Sequence, residues 1–172
     1  MVTPREVIAP AAIAARIAAV GQAITADYAG KDLVLVAMLK GAMVFLADLV
    51  RAIGGPVRFE LVNVTQQGDD RGERIDLTYA TQVRLAGANA LILKDICHSG
   101  VTENYLITHL AQQSPASLDV VALVDRPRLR RVAVAPKYVV LPEMPDGRLV
   151  GFGMEYQGRW GNLPGIHLLE GA

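Results

Sequence analysis

Every side chain from 33 to 39, in the run LVLVAML, is apolar. A strand with one wet face would alternate between apolar and polar, so an unbroken run of this length predicts a strand covered on both sides. What surrounds it fits a layered α/β chain. Ile13, Ile17, Val20 and Ile24 recur at helical spacing among alanines, with Gly30 placed to cap the end. GAMVFLADLVRAI predicts a second helix, closed by GGP at 54–56. VRFELVNV (57–64) reads as a half-exposed strand, and the polar TQQGDDRGER (65–74) as a mobile loop or an extended hairpin tip. RIDLTYATQVRL (74–85) supplies the return of that hairpin. NALIL (89–93), LDVVALVD (118–125), KYVVL (137–141) and RLVGFGMEY (148–156) are further strands, with a helix over TENYLITHLAQQ (102–113). Strands alternating with helices predict an α/β fold with a mainly parallel sheet, in a single domain over 1–172.

Composition narrows the function. Lys plus Arg and Asp plus Glu each number 17, and a neutral chain argues against a wide polyanion-binding surface. Cys97 is the only cysteine, so no internal disulfide forms and a reducing, cytoplasmic setting is expected. No signal-like run opens the chain, and Lys40 and Asp48 interrupt the longest apolar region before it reaches membrane-spanning length.

In open parallel sheets ligands bind beyond the carboxyl ends of the strands. That rule selects KGA (40–42) after the first buried strand and KDICHSGVT (94–102) after a later one. Ser99, Gly100, Val101 and Thr102 lead into a helix, whose free N–H groups and partial positive charge suit a phosphate. A plainly capped helix, with Ser99 or Thr102 as N-cap and Glu103 in the first turn, fits the same residues. Asp95 is a carboxylate for hydroxyls or a magnesium–water complex, or a surface charge held by Lys94. His98 is a candidate proton donor or acceptor, because imidazole changes charge near neutrality. Cys97 reads as a small buried apolar residue, and His98, His109 and His167 have no metal-ligand spacing.

Taken in order along the chain, DYAGKDLVLVAMLKGAMVFLADLVRAI, LILKDICHSGVT, SPASLDVVALVDRP and VGFGMEYQGRWGNLPGI resemble the type I phosphoribosyltransferases, closest to the hypoxanthine-guanine branch. The resemblance implies a five-stranded parallel sheet with helices on both faces and a small hood from the two chain ends. It implies purine salvage: a 6-oxopurine and 5-phosphoribosyl diphosphate giving nucleoside monophosphate and diphosphate, with magnesium, in a cytoplasmic homo-oligomer. Carried onto this sequence, it makes His98 catalytic and gives the 5-phosphate to Ser99, Gly100, Val101 and Thr102. Lys40, Gly41 and Arg159 take the diphosphate, Asp95 and Lys94 the ribose, and Arg126, Arg148 and Leu149 the base. Asp95 and Glu155 fall on the metal side, and the Leu39–Lys40 peptide is expected to be cis.

Several positions depart from the family pattern. Lys94 stands where the family has the first of two adjacent acids, and His98 where it has an aspartate. Val64-Thr65 replaces a Ser-Tyr, Arg126 a lysine, Arg148 a base-stacking aromatic, Glu155 an aspartate and Gly161 an arginine. A second reading follows from these changes: a nucleotide-binding or regulatory relative that keeps the phosphate cradle. In that reading RPRLRR (126–131) contacts nucleic acid, against the blander expectation of a solvated basic loop.

Overall fold

The computed structural model describes residues 3–69, 72–142 and 144–171. Its central sheet runs in the order β4-β3-β2-β5-β6-β7. The strands are β2 (Leu33–Leu39), β3 (Arg58–Asp69), β4 (Gly72–Tyr79), β5 (Asn89–Cys97), β6 (Ser117–Asp125) and β7 (Tyr138–Leu141). Strands β3, β2, β5, β6 and β7 pair in parallel, as expected of the five-stranded set. A sixth strand, β4, adds antiparallel to β3. The polar stretch after Val64 is therefore an extended hairpin, whose tip at Asp70 and Arg71 lies outside the described residues.

Two helices cover one face of the sheet. In α1 (Pro10–Asp27), Ile13, Ile17 and Ile24 are buried. Gly21 on that stripe packs so tightly against α2 (Met43–Ala52) that an added Cβ would lie 2.6 Å from the Cβ of Ala52. On the opposite face, α3 (Val101–Ala111) buries Leu106 and Leu110 against Val34, Val36, Ile92 and Val120. Each such side chain contributes roughly 1.5–3 kcal/mol of hydrophobic stabilisation, so β2 and β5 hold the two layers together. Helix α1 ends with Tyr28 as its C-cap, and Gly30, at φ 72°, takes the left-handed turn two residues later.

The hood is a second, antiparallel sheet, ordered β1-β9-β8, from β1 (Thr3–Ile8), β9 (Ile166–Glu170) and β8 (Leu149–Val150). RLVGFGMEY does not form the last strand of the main sheet. Only two of its residues are strand, and they pair with β9. Gly151, Phe152 and Gly153 all have positive φ, of 91°, 51° and 91°, which turns the chain out of extended geometry at once. Among the described residues no helix is long and apolar enough to cross a membrane.

Candidate active site

The carboxyl ends of β2, β5 and β6 converge under the hood. Strand β5 continues through Cys97, so Lys94 and Asp95 belong to the strand and not to the turn expected after Leu93. Asp95 Oδ1 accepts from Lys94 Nζ at 2.6 Å and from the Ile96 N–H at 2.8 Å. Its Oδ2 lies against Gly41, where an added Cβ would be only 1.8 Å away. Gly41 is therefore the residue that lets the turn after β2 close on this carboxylate. The Leu39–Lys40 peptide is cis, as expected.

Gly100 is the N-cap of α3, at φ 80° and in left-handed geometry. A Cβ there would meet the Val132 carbonyl oxygen at 2.6 Å, so both conformation and space demand glycine. The sequence-level choice of Ser99 or Thr102 as N-cap is corrected on this point. Ser99 Oγ instead accepts from the Val101 N–H at 3.3 Å. The amides beyond it open the helix with unpaired donors, as every helix N-terminus does. His98 stands exposed at the rim.

What holds this loop from beneath is Arg130. Its guanidinium pairs with Asp125 and donates at 2.9 Å to both the His98 carbonyl and Cys97 Sγ. Arg130 and Asp125 are only 13% and 15% exposed. The Arg131 and Val132 N–H groups both donate to the Ser99 carbonyl, at 2.8 and 3.0 Å. RPRLRR is thus only in part the solvated basic loop expected from its composition: Pro127, Arg128, Leu129 and Arg131 are exposed, but Arg126 and Arg130 turn inward, and the backbone at Arg131 braces the turn before α3. Cys97 is fully buried, and burial together with the Glu103 charge pushes its thiol up to about 11.

A hollow of about 500 Å³ opens between the loop and the hood, lined by Asp95, Ile96, His98, Arg126, Gly147, Arg148, Leu149, Met154 and Glu155. Arg126 Nη2 donates to the carbonyls of Pro145 (3.1 Å) and Gly147 (2.7 Å), and its buried Nε has no partner. The Arg148 guanidinium sits 4.6 Å from the centre of the Tyr156 ring, which stacks on Trp160. Leu149 is 4% exposed and its side chain belongs to the core. Glu155 pairs with Lys40 Nζ at 2.8 Å. A Cβ at Gly161 would lie 2.7 Å from Glu155 Cγ, so the longer acid and the small residue fit one another. A larger hollow of about 800 Å³ lies beyond Arg126, toward Arg128 and Pro142. Both carry carboxylates and guanidinia, but only the smaller one also holds an imidazole, His98, together with Asp95 and Glu155.

The phosphoribosyl transferase domain family matches residues 6–157. The chain belongs to that family. It is 33% identical over 166 residues to a hypoxanthine-guanine phosphoribosyltransferase of Mycobacterium avium, covering 92% of this chain and 81% of the relative. Against the enzyme of the same name from Staphylococcus aureus, identity is 30% over 152 residues, covering 87% of this chain and 84% of the relative. A crystal structure of a Bacillus anthracis hypoxanthine-guanine phosphoribosyltransferase superposes with a TM-score of 0.91 at 27% identity, covering 99% of each chain.

Within this phosphoribosyltransferase fold, most of the expected residues come together. Asp95, His98, Arg126, Arg148, Leu149 and Glu155 share the hollow. Lys40 and Gly41 join it through Glu155 and Asp95, and Ser99 to Thr102 border it at α3. Arg159 sits exposed in the turn bridging Tyr156 and Arg159, and does not line the hollow. Two participants escaped the sequence reading, Arg130 and Glu103. Glu103 is 2% exposed in the first turn of α3.

Magnesium typically takes one or two carboxylates plus substrate phosphates and waters. Glu155 fits that role, being 36% exposed and on the hollow. Asp95 fits less well, because the ammonium on its Oδ1 is only 22% exposed, whereas the Lys40 ammonium on Glu155 is 73% exposed and screened by solvent. Among the described residues no three His, Cys, Asp or Glu gather as a metal cluster.

Proposed function

We propose that the chain, acting as one domain over 1–172, is a purine-salvage phosphoribosyltransferase. It joins hypoxanthine or guanine to 5-phosphoribosyl diphosphate, giving the nucleoside monophosphate and diphosphate. The observation that supports this most is the gathering of His98, Arg126, Arg148 and Glu155 in one hollow beside the glycine-capped start of α3.

The 5-phosphate rests on the amides and hydroxyls of Ser99, Gly100, Val101 and Thr102. Asp95 Oδ2, on the side away from Lys94, accepts the ribose hydroxyls. Lys40 and the Gly41 backbone meet the leaving diphosphate, and Arg159 approaches it from its exposed turn. Arg126 donates to the purine carbonyl oxygen, with Nη2 anchored on the 145–147 carbonyls and its other donors left for the base. Arg148 stacks its planar guanidinium on the base, continuing the stack begun by Tyr156. Leu149 contributes through its backbone, since its side chain is buried. His98 exchanges a proton with purine N7. Magnesium supplies charge neutralisation to the diphosphate when bound, with Glu155 as the protein carboxylate facing it. The setting this reading implies is a cytoplasmic homo-oligomer, and sedimentation velocity reads its size.

The test is a transfer assay with hypoxanthine, guanine, xanthine and adenine, with and without magnesium. Turnover of hypoxanthine or guanine supports the reading. Nucleotide binding without turnover of any base favours the regulatory relative instead.

A further inference from the structure

Lys94 is the residue least at home in this site. It places an ammonium, 22% exposed, in β5 directly beside Asp95. Its surroundings show what it does there. The Lys94 ammonium donates to Asp95 Oδ1 at 2.6 Å, and the fully covered Glu103 acts on it through space from the first turn of α3. Burial alone would favour the neutral amine, but Asp95 and Glu103 outweigh it and hold the group above the usual lysine range. Lys94 thus sits between an acid it touches, Asp95, and a covered acid in its field, Glu103.

We propose that Lys94, braced by Glu103, is a fixed internal cation that occupies the place of a metal ion at Asp95. This rests on the salvage reading for the ligand but on the charge cluster for its logic. Lys94 holds one oxygen of Asp95 and leaves the other, against Gly41, for a ribose hydroxyl. A divalent cation approaching Asp95 meets an ammonium only 22% exposed, whereas the Lys40 ammonium beside Glu155 is 73% exposed and screened by solvent, so metal engagement falls to the Glu155 side. Lys94 is therefore a positioning residue for Asp95.

Manganese(II) is the probe, titrated into the ligand-free protein and read by water-proton relaxation. In wild type, Asp95→Asn is expected to leave manganese affinity unchanged. Lys94→Met combined with Glu103→Leu removes both buried charges and leaves Asp95 bare, and it is expected to tighten manganese binding by about tenfold or more. Adding Asp95→Asn to that pair should abolish the gain. A variant pair that binds manganese no more tightly than wild type overturns the proposal, as does wild-type binding that depends on Asp95. If the leucine variant does not yield folded protein, Lys94→Met with Glu103→Gln carries the same comparison. Guanosine monophosphate binding by wild type is read separately by calorimetry. Its absence overturns the salvage reading, while the manganese comparison still decides the role of Lys94.

Discussion

Strand β6 carries an aspartate–cation pair near each end, and the two pairs do different work. Near its start, Asp119 lies 3.6 Å from Lys137, the partners 36% and 40% exposed. Lys137 also donates to the Tyr28 hydroxyl at 3.2 Å and sits 4.8 Å from the centre of that ring. At its end, Asp125 meets Arg130 beneath the turn before α3 with both side chains mostly covered. Solvent screens the first pair, which is worth about 0–1 kcal/mol. Removing one partner of a covered pair strands a charge and costs about 3–5 kcal/mol. The same residue chemistry is a surface staple at one end and the support of the candidate site at the other, because burial differs.

The largest effect is expected from Arg130→Met. It leaves Asp125 without its cation and withdraws the donors from the His98 carbonyl and Cys97 Sγ. Stability by urea denaturation should fall by about 3–5 kcal/mol, and calorimetry should show guanosine monophosphate binding greatly weakened. Gly100→Val comes next, because a side chain at φ 80° and 2.6 Å from the Val132 oxygen must displace the backbone. A loss of about 1–3 kcal/mol is expected, with nucleotide affinity reduced more than stability.

The parallel strands were legible in the sequence because burial on both faces leaves no room for polar residues, as in LVLVAML. The start of α3 was legible because glycine and small hydroxyls mark a helix N-terminus, although the capping residue is Gly100. The last residues of β5 were not. Lys94 and Asp95 look like a turn unless each is known to neutralise the other. Glu103 read as an ordinary first-turn acid, since its local sequence does not say that the fold covers it. Arg130 looked solvated among its neighbours. The available signal was Asp125, five residues before it at a strand end, but sequence alone does not say that the intervening turn folds the two together.

Alkaline titration compares the two ends more gently. Burial, with Glu103 next, raises the Cys97 thiol from 9.0 to about 11, and burial is also the leading cause of the raised Tyr28 hydroxyl at the other end. Unfolded chains lose these protons first, so the folded state binds more protons above about pH 9 and stability falls as pH rises toward about 11. Urea midpoints across that window should drop. Cys97→Ala should remove the site-end share of the drop, and Tyr28→Phe the share from the far end. The smallest effect is expected from Asp119→Asn, a stability change within about 0.5 kcal/mol and unaltered nucleotide affinity by calorimetry.

Beneath all of these lies the proposal that the start of α3, braced from below by Arg130, serves a nucleotide phosphate. A crystal structure with bound guanosine monophosphate tests it most directly. The 5-phosphate is expected within hydrogen-bonding distance of the Ser99 to Thr102 amides, with the base between Arg126 and Arg148. A phosphate seated instead in the larger hollow by Arg128, or away from the start of α3 altogether, would contradict the account.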